Sequence, residues 1–131
     1  MTAETTPRNV PLPITGTCHC GAVSFEMRVP PRYAVACNCS ICRSLGAVWG
    51  HGDADDITVT AAPGATLGYS HGGKDLVFHT CRTCGSTTHW EGVSREVRNR
   101  IAVNLRLAPS GTIEAIGIKH FDGAETRTFL D

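Results

Sequence analysis

The chain has 131 residues, and its 12 Lys and Arg residues balance 12 Asp and Glu residues, so the formal net charge is zero. This length favours one domain, and the charge balance argues against a protein built mainly to bind phosphate backbones. No apolar run approaches the roughly 20 residues needed to span a bilayer, and residues 1–13 contain no apolar segment typical of a secretory signal. We therefore expect a flexible N-terminal arm over 1–13, a domain over 14–131, and no nucleic-acid or membrane partner.

Strand-like patterns begin at Ile14 and recur at the short spacing of an all-β domain. A helical turn is predicted over 40–45, with Ser40 as its N-cap. The segment 93–100 fits either a short helix or a loop. The predicted strands are 23–27, 47–49, 57–60, 66–69, 76–80, 87–91, 101–107 and 113–118. No long helical periodicity appears, so the predicted fold is mainly β.

The seven cysteines form three short clusters. They are the C-x-C pair Cys18 and Cys20, the C-x-C-x-x-C set Cys37, Cys39 and Cys42, and the C-x-x-C pair Cys81 and Cys84. The odd count and the lack of an export signal argue against a disulfide framework, and a redox-active C-x-x-C would leave the other clustered thiols unexplained. Zinc explains the spacing better, since Zn²⁺ takes a tetrahedron of thiolates presented by tight turns. Reduced thiols also favour a cytoplasmic location.

Seven thiolates divide naturally into a set of four and a set of three. The two pairs make the four-cysteine cluster (Cys18, Cys20, Cys81 and Cys84), which closes a structural zinc site. The remaining set, the three-cysteine cluster (Cys37, Cys39 and Cys42), leaves one position open, as in catalytic zinc sites. A histidine in that position would make the second site structural too, and the candidates are His51, His79 and His89. The sequence thus predicts two zinc ions per chain, with the role of the second still open.

Three segments resemble motifs of the glutathione-dependent formaldehyde-activating enzyme family, which also includes centromere protein V. They are residues 16–25 (GTCHCGAVSF), residues 37–43 (CNCSICR) followed by Gly46 and Ala47, and residues 78–85 (FHTCRTCG), the last with one extra residue between Phe and Cys. The segments 104–106 and 120–124 are also similar. The likeness spans nearly all of 16–131, and every cysteine falls in a motif position.

This resemblance implies a β-tent fold of small antiparallel sheets clamped by zinc. It implies a structural zinc on the four-cysteine cluster and a catalytic zinc on the three-cysteine cluster. The implied activity is the addition of glutathione to formaldehyde, which gives S-hydroxymethylglutathione and is carbon–sulfur lyase chemistry. The implied partners are then a small thiol and a small carbonyl compound.

Several side chains are candidates to support such chemistry. A zinc ion with an open position would act as a Lewis acid on a carbonyl, or would bind and deprotonate a thiol. Arg43 is a candidate to offset the thiolate charge or to bind a substrate carboxylate, and His51 and His89 are candidate proton carriers. Trp49 and Trp90 can wall an apolar pocket, although packing in the core is the more frequent role of such residues.

Two other interpretations stay open. A zinc-stabilised binding module without catalysis predicts that a protein side chain completes the three-cysteine site. A nucleic-acid site is suggested by Arg95, Arg98 and Arg100, but a solvated charged face beside Glu96 is favoured at zero net charge.

Overall fold

The computed structural model describes residues 10–131, so residues 1–9 of the predicted arm lie outside the described residues. Val10 packs against the buried core. In this range the chain forms ten strands and two short α-helices. The strands are β1 (Ile14–Thr17), β2 (Val23–Met27), β3 (Ala34–Cys37), β4 (Trp49–Asp53), β5 (Ile57–Ala61), β6 (Thr66–Tyr69), β7 (Leu76–Cys81), β8 (Thr87–Gly92), β9 (Arg100–Asn104) and β10 (Ile118–Phe121), and the helices are α1 (Ser40–Leu45) and α2 (Thr112–Ile116).

The strands form two sheets. Strands β1, β2 and β5 make a small antiparallel sheet, and the others make a seven-stranded sheet in the order β10-β3-β4-β9-β8-β7-β6. Every neighbouring pair in the large sheet is antiparallel except β3 and β10, which run parallel and place Cys37 opposite Phe121. The prediction of a mainly β fold is therefore confirmed. Within residues 10–131, neither helix is long and apolar enough to cross a membrane.

Strand β4 shows how the sequence sets the distance between the two sheets. Its residues alternate between large side chains and glycines, so that Gly50 and Gly52 share one face of the strand. A Cβ at Gly50 would lie 3.0 Å from the Leu105 side chain, and one at Gly52 would lie 2.9 Å from the Ile57 side chain. The glycines thus let the small sheet pack closely against β4, while Trp49 and His51 point to the other face.

Two apolar clusters lie on opposite faces of the large sheet. Between the sheets, Phe25 and Met27 of β2 pack with Val103 of β9, and each is at most 4% exposed. On the other face a second cluster is built on the large aromatic side chains of β4, β7 and β8, which pack with Ala102. Because Ala102 and Val103 are adjacent on β9, their side chains point to opposite faces, and one strand serves both clusters.

Several predicted element bounds differ from the structure. Ser40 is the first residue of α1, and the N-cap is Cys39, whose side chain makes no capping hydrogen bond. The predicted strand 47–49 is found at Trp49–Asp53, because its glycines disguise it. The predicted strand 101–107 ends at Asn104, where a 3₁₀ turn (Leu105–Leu107) begins with the Asn104 side chain accepting from an amide of the turn.

The prediction of a strand over 113–118 is wrong. Residues Thr112–Ile116 form α2, and Gly117, with a φ of 90°, separates this helix from β10. The segment is apolar at several positions, which suggested a strand. A short helix also buries Ile116 in the core between the sheets, so this pattern does not distinguish the two structures. The segment 93–100 is a loop of turns that leads into β9.

Candidate metal centres and the adjoining cavity

The four-cysteine cluster lies where the end of β1 meets the end of β7. Its four Sγ atoms all lie within 4.8 Å of one another. The Sγ distances from Cys20 to Cys18 and to Cys81 are 3.7 and 3.6 Å, close to the spacing of about 3.8 Å expected for four sulfurs at about 2.3 Å from one zinc ion. Glycines in the left-handed region, Gly21 (φ 86°) and Gly85 (φ 81°), turn the chain back after each pair. The cluster can therefore hold a tetrahedral metal ion.

The three-cysteine cluster lies where β3 passes into α1. Its three Sγ atoms also lie within 4.8 Å of one another. The indole Nε1 of Trp49 donates a hydrogen bond to Cys42 Sγ at 3.3 Å, and the amide of Cys39 donates to Cys37 Sγ at 3.5 Å. Hydrogen bonds donated to sulfur favour the thiolate, which is the form that binds a metal. All seven cysteines of the chain lie in the described range and are free, so both clusters can bind a metal ion.

The loop after β10 covers the three-cysteine cluster. Asn38 donates from Nδ2 to Asp122 Oδ1 at 3.0 Å, and the Ala124 amide donates to Asn38 Oδ1 at 3.0 Å. Gly123 lies directly against the cluster, because a Cβ there would be 2.7 Å from Cys37 Sγ. The hydrogen bond from Asn38, together with others from the loop, keeps the pKa of the Asp122 carboxyl below its usual range. Residues 120–124 resemble a family segment, but their sequence alone predicts no role for them at the cluster.

None of the three candidate histidines joins either cysteine cluster in the part of the chain that the structure describes. His79 and His89 face each other across β7 and β8 with stacked rings, 4.4 Å apart and 6° from parallel. They lie on the opposite sheet face from Phe78, and His79 Nε2 hydrogen-bonds Glu91 at 2.6 Å. Burial, with the added effect of the His79 charge, lowers the pKa of His89 to about 4. Because His89 lies on the sheet face opposite Phe78 and does not line the cavity beside the three-cysteine cluster, its position does not suit the proton carrier that the sequence suggested.

A cavity of about 1010 Å³ opens beside the three-cysteine cluster and includes its three cysteines in its lining. The aromatic wall of this cavity, which we define as Trp49, Phe78 and Trp90, is continuous with Cys42 through the Trp49 hydrogen bond. Each wall residue is at most 8% exposed. Trp49 and Trp90 therefore serve both of the roles suggested by sequence, because each is packed in the core and also lines the cavity.

His51 also lines the cavity, on the same face of β4 as Trp49. Its ring makes an edge contact with Trp90, with centroids 5.6 Å apart. Burial, reinforced by the positive charge of Arg100, lowers the pKa of His51 to about 4. At neutral pH this imidazole is therefore uncharged, so it can accept a hydrogen bond and relay a proton, although its low pKa makes it a weak base.

The mouth of the cavity is rich in arginine. Arg32, Arg43 and Arg127 line it and are exposed, and none of them has a carboxylate within ion-pair distance among residues 10–131. Arg100 also lines the cavity but lies 3.9 Å from an Asp53 carboxylate oxygen. In a chain of zero net charge, this local excess of positive charge suits an anionic ligand. Only Arg43 was a candidate for substrate binding from sequence, and Arg100 was considered only as part of a nucleic-acid site. The other arginines reach the cavity through tertiary packing.

Comparisons with known proteins agree with this architecture. A Halomonas elongata protein named "Putative glutathione-dependent formaldehyde-activating enzyme" is 34% identical over 85 residues, which cover 56% of this chain and 52% of that protein. The chain thus spans about half the length of this curated relative. The crystal structure of a Rhodobacter sphaeroides protein is also similar, with 32% identity and a TM-score of 0.63, over 74% of this chain and 88% of the other.

The family model described as glutathione-dependent formaldehyde-activating enzyme matches residues 13–120. That range contains both cysteine clusters, the aromatic wall and His51. The chain belongs to the glutathione-dependent formaldehyde-activating enzyme family.

Proposed function

We propose that this chain catalyses the reversible addition of glutathione to formaldehyde, which forms or breaks a carbon–sulfur bond. The observation that carries the proposal is the position of the three-cysteine cluster, whose sulfurs line a cavity large enough for a tripeptide thiol. Family membership supports the same reaction class. The free thiols fit a reducing compartment, so we propose a cytoplasmic enzyme.

We assign zinc to both cysteine clusters, with a structural ion on the four-cysteine cluster and a reactive one on the three-cysteine cluster. The donor sets fit this metal, because thiolates grouped in threes and fours select zinc over magnesium or calcium. Zinc held by three thiolates keeps an open position that can bind a thiol and lower its pKa. A purely structural second site would need a fourth protein ligand, and no histidine takes that place in residues 10–131.

The side chains around the cavity supply binding and proton transfer. Arg32, Arg43 and Arg127 bind the carboxylates of glutathione as guanidinium–carboxylate pairs. Uncharged His51 relays the proton that leaves the thiol and does not hold it as a stable imidazolium. As the sulfur attacks the carbonyl carbon, the C=O electron pair moves to oxygen and takes that proton, so the adduct forms without any oxidant or reductant.

The proposal is tested by measuring zinc content and reaction rate together. We expect two zinc ions per purified chain, and formation of S-hydroxymethylglutathione, followed by exchange NMR, should exceed the spontaneous rate by about 100-fold or more. The variant Cys39→Ser should lose one zinc and the acceleration but keep its fold. The matched variant Ser44→Ala, at an exposed position on α1, should keep both. Fully loaded wild-type protein that accelerates no thiol addition to formaldehyde would contradict the proposal.

A further inference from the structure

The aromatic wall belongs to an ordered row of side chains that crosses the large sheet. The register places Tyr69, Phe78, Trp90, Ala102 and His51 opposite one another on β6, β7, β8, β9 and β4. The small Ala102, which is fully buried, separates the last two large rings and lets Trp90 reach His51. The row therefore brings apolar side chains, with rings tilted relative to one another, up to His51.

Trp49 continues this surface toward the metal-binding sulfurs. It lies two residues before His51 on β4, its ring centroid is 6.0 Å from that of Phe78, and its indole donates to Cys42 Sγ. Packed apolar side chains therefore connect Cys42 through Trp49 to Phe78 and Trp90 in the lining of the cavity. Any group bound to a reacting carbon near the sulfurs would lie against it.

Neither glutathione nor formaldehyde has a group that matches this surface. Formaldehyde is about the size of one or two waters, each occupying about 30 Å³, and glutathione is a polar, charged tripeptide suited to the arginines at the mouth. The wall rings themselves are almost fully buried, but the half-buried Tyr33, Ile41 and Leu76 extend the apolar lining into the cavity. Apolar lining that contacts only water is unfavourable, and in ligand sites it normally contacts an apolar part of the ligand.

We propose that the carbonyl substrate of this cavity is an aromatic aldehyde, whose ring packs against Trp90 and Phe78 while its carbonyl carbon faces the three-cysteine cluster. This inference rests on the proposed function and names its substrate class. The thiol sulfur forms a bond to the aldehyde carbon, the C=O electron pair moves to oxygen, and the thiol proton reaches that oxygen by way of His51. The product is the hemithioacetal of glutathione and the aromatic aldehyde.

The inference is tested by binding of two stable adduct analogues to the zinc-loaded protein. S-benzylglutathione carries an aromatic ring on the adduct carbon, whereas S-methylglutathione resembles the formaldehyde adduct. Calorimetric titration should show that the benzyl compound binds tighter by about tenfold or more, because its ring leaves water. Equal affinities, or no saturable binding of the benzyl compound, would overturn the inference.

A pair of variants locates the preference. Trp90→Leu stays apolar but is smaller and removes the aromatic face, so the ratio of the two affinities should fall to about threefold or less. Because Trp90 is a core residue, a melting curve first checks that the zinc-loaded variant is folded at the temperature of the titration. Tyr69→Leu, at the far end of the same row, changes a side chain that is 54% exposed and outside the cavity, so the ratio should stay as in wild type. If Trp90→Leu keeps the wild-type ratio of the two affinities, the benzyl ring does not bind against Trp90 and the inference is overturned.

Reaction rates separate this inference from the proposed function. If the enzyme accelerates glutathione addition to formaldehyde but not to benzaldehyde, the proposed function stands and the aromatic substrate is refuted. If it accelerates neither reaction, the proposed function fails as well. We expect acceleration with benzaldehyde to exceed that with formaldehyde when both are compared with their spontaneous rates.

Discussion

Replacing Gly123 by alanine tests whether the loop after β10 sets the geometry of the three-cysteine cluster. A Cβ at this position would lie 2.7 Å from Cys37 Sγ and 3.2 Å from Cys39 Cβ. Non-bonded heavy atoms pack at about 3.5–4.0 Å, so the new methyl group overlaps the sulfur by roughly 1 Å. The Cys37 side chain or the loop backbone has to move by a comparable distance.

The displacement has two measurable consequences. Overpacking of this kind typically costs about 1–3 kcal/mol, which corresponds to a drop of about 4–12 °C in the melting temperature of a chain this long. The displaced sulfur also loses its alignment with the other two, and we expect affinity for the second metal ion to fall by about 10–100-fold, as for other losses of ligand-orienting contacts. The four-cysteine cluster should keep its ion, because it is formed by other segments of the chain.

Competition with a chelator, followed by absorbance, measures both metal affinities in one titration. The matched control is Gly73→Ala, where the new Cβ meets only the flexible carboxylate of Asp75 at 3.3 Å. This control should keep both affinities and the melting temperature of wild type. If Gly123→Ala releases its second metal ion no more easily than the control does, the loop does not position the cluster and the reasoning is refuted.

The remaining predictions concern three polar side chains. His51→Gln should lower kcat for thiol addition by about 100-fold with little change in KM, as expected for loss of a proton acceptor. The free energy of unfolding of the wild type should decrease as pH falls from 6.5 toward 4. The pKa of His89 is about 4 in the folded protein and 6.5 as its ordinary value, so acid favours the unfolded chain, in which this imidazole is protonated more readily. This group alone accounts for a loss of about 2 kcal/mol at pH 5. Urea unfolding at pH 7.5 and 5, with metal content measured at both, should show a smaller pH effect in His89→Gln. Asp122→Ala should cost about 1–3 kcal/mol in thermal unfolding, since it removes a buried carboxylate that accepts hydrogen bonds from Asn38 and from the loop. The matched change at the exposed Asp131, Asp131→Ala, should cost about 1 kcal/mol or less in the same assay.

Sequence was most informative where the determinants are local. The cysteine pairs and their following glycines lie within a few residues of one another, so their spacing predicted which thiols lie close together. The strand at Thr66–Tyr69 was predicted with the right bounds because turn residues flank it on both sides. The strand predicted over 47–49 ends where β4 (Trp49–Asp53) begins. Glycines are unusual inside a strand, and only the tertiary structure shows that Gly50 and Gly52 allow the two sheets to pack closely.

The surroundings of the three-cysteine cluster could not be predicted from local patterns, because they depend on one long-range strand pairing. Parallel pairing of β10 with β3 sets Phe121 beside Cys37, and the chain then has to continue over the cluster. This brings Asp122 to Asn38 across 84 residues of sequence. The predicted strand over 113–118 missed this arrangement, since an antiparallel neighbour at that position would carry the loop away from the sulfurs.

The same pairing explains how a small chain can place the three-cysteine cluster near the edge of a sheet and still cover it. Without β10, β3 would be the edge strand of the large sheet. The added strand brings a glycine against the Cys37 sulfur and an aspartate that fixes the glycine's loop. Arg127, which follows that loop, reaches the mouth of the cavity by the same route. Docking of β10 therefore couples the closure of the metal site to the assembly of the anion-binding mouth, and a change that loosens this strand should weaken both together.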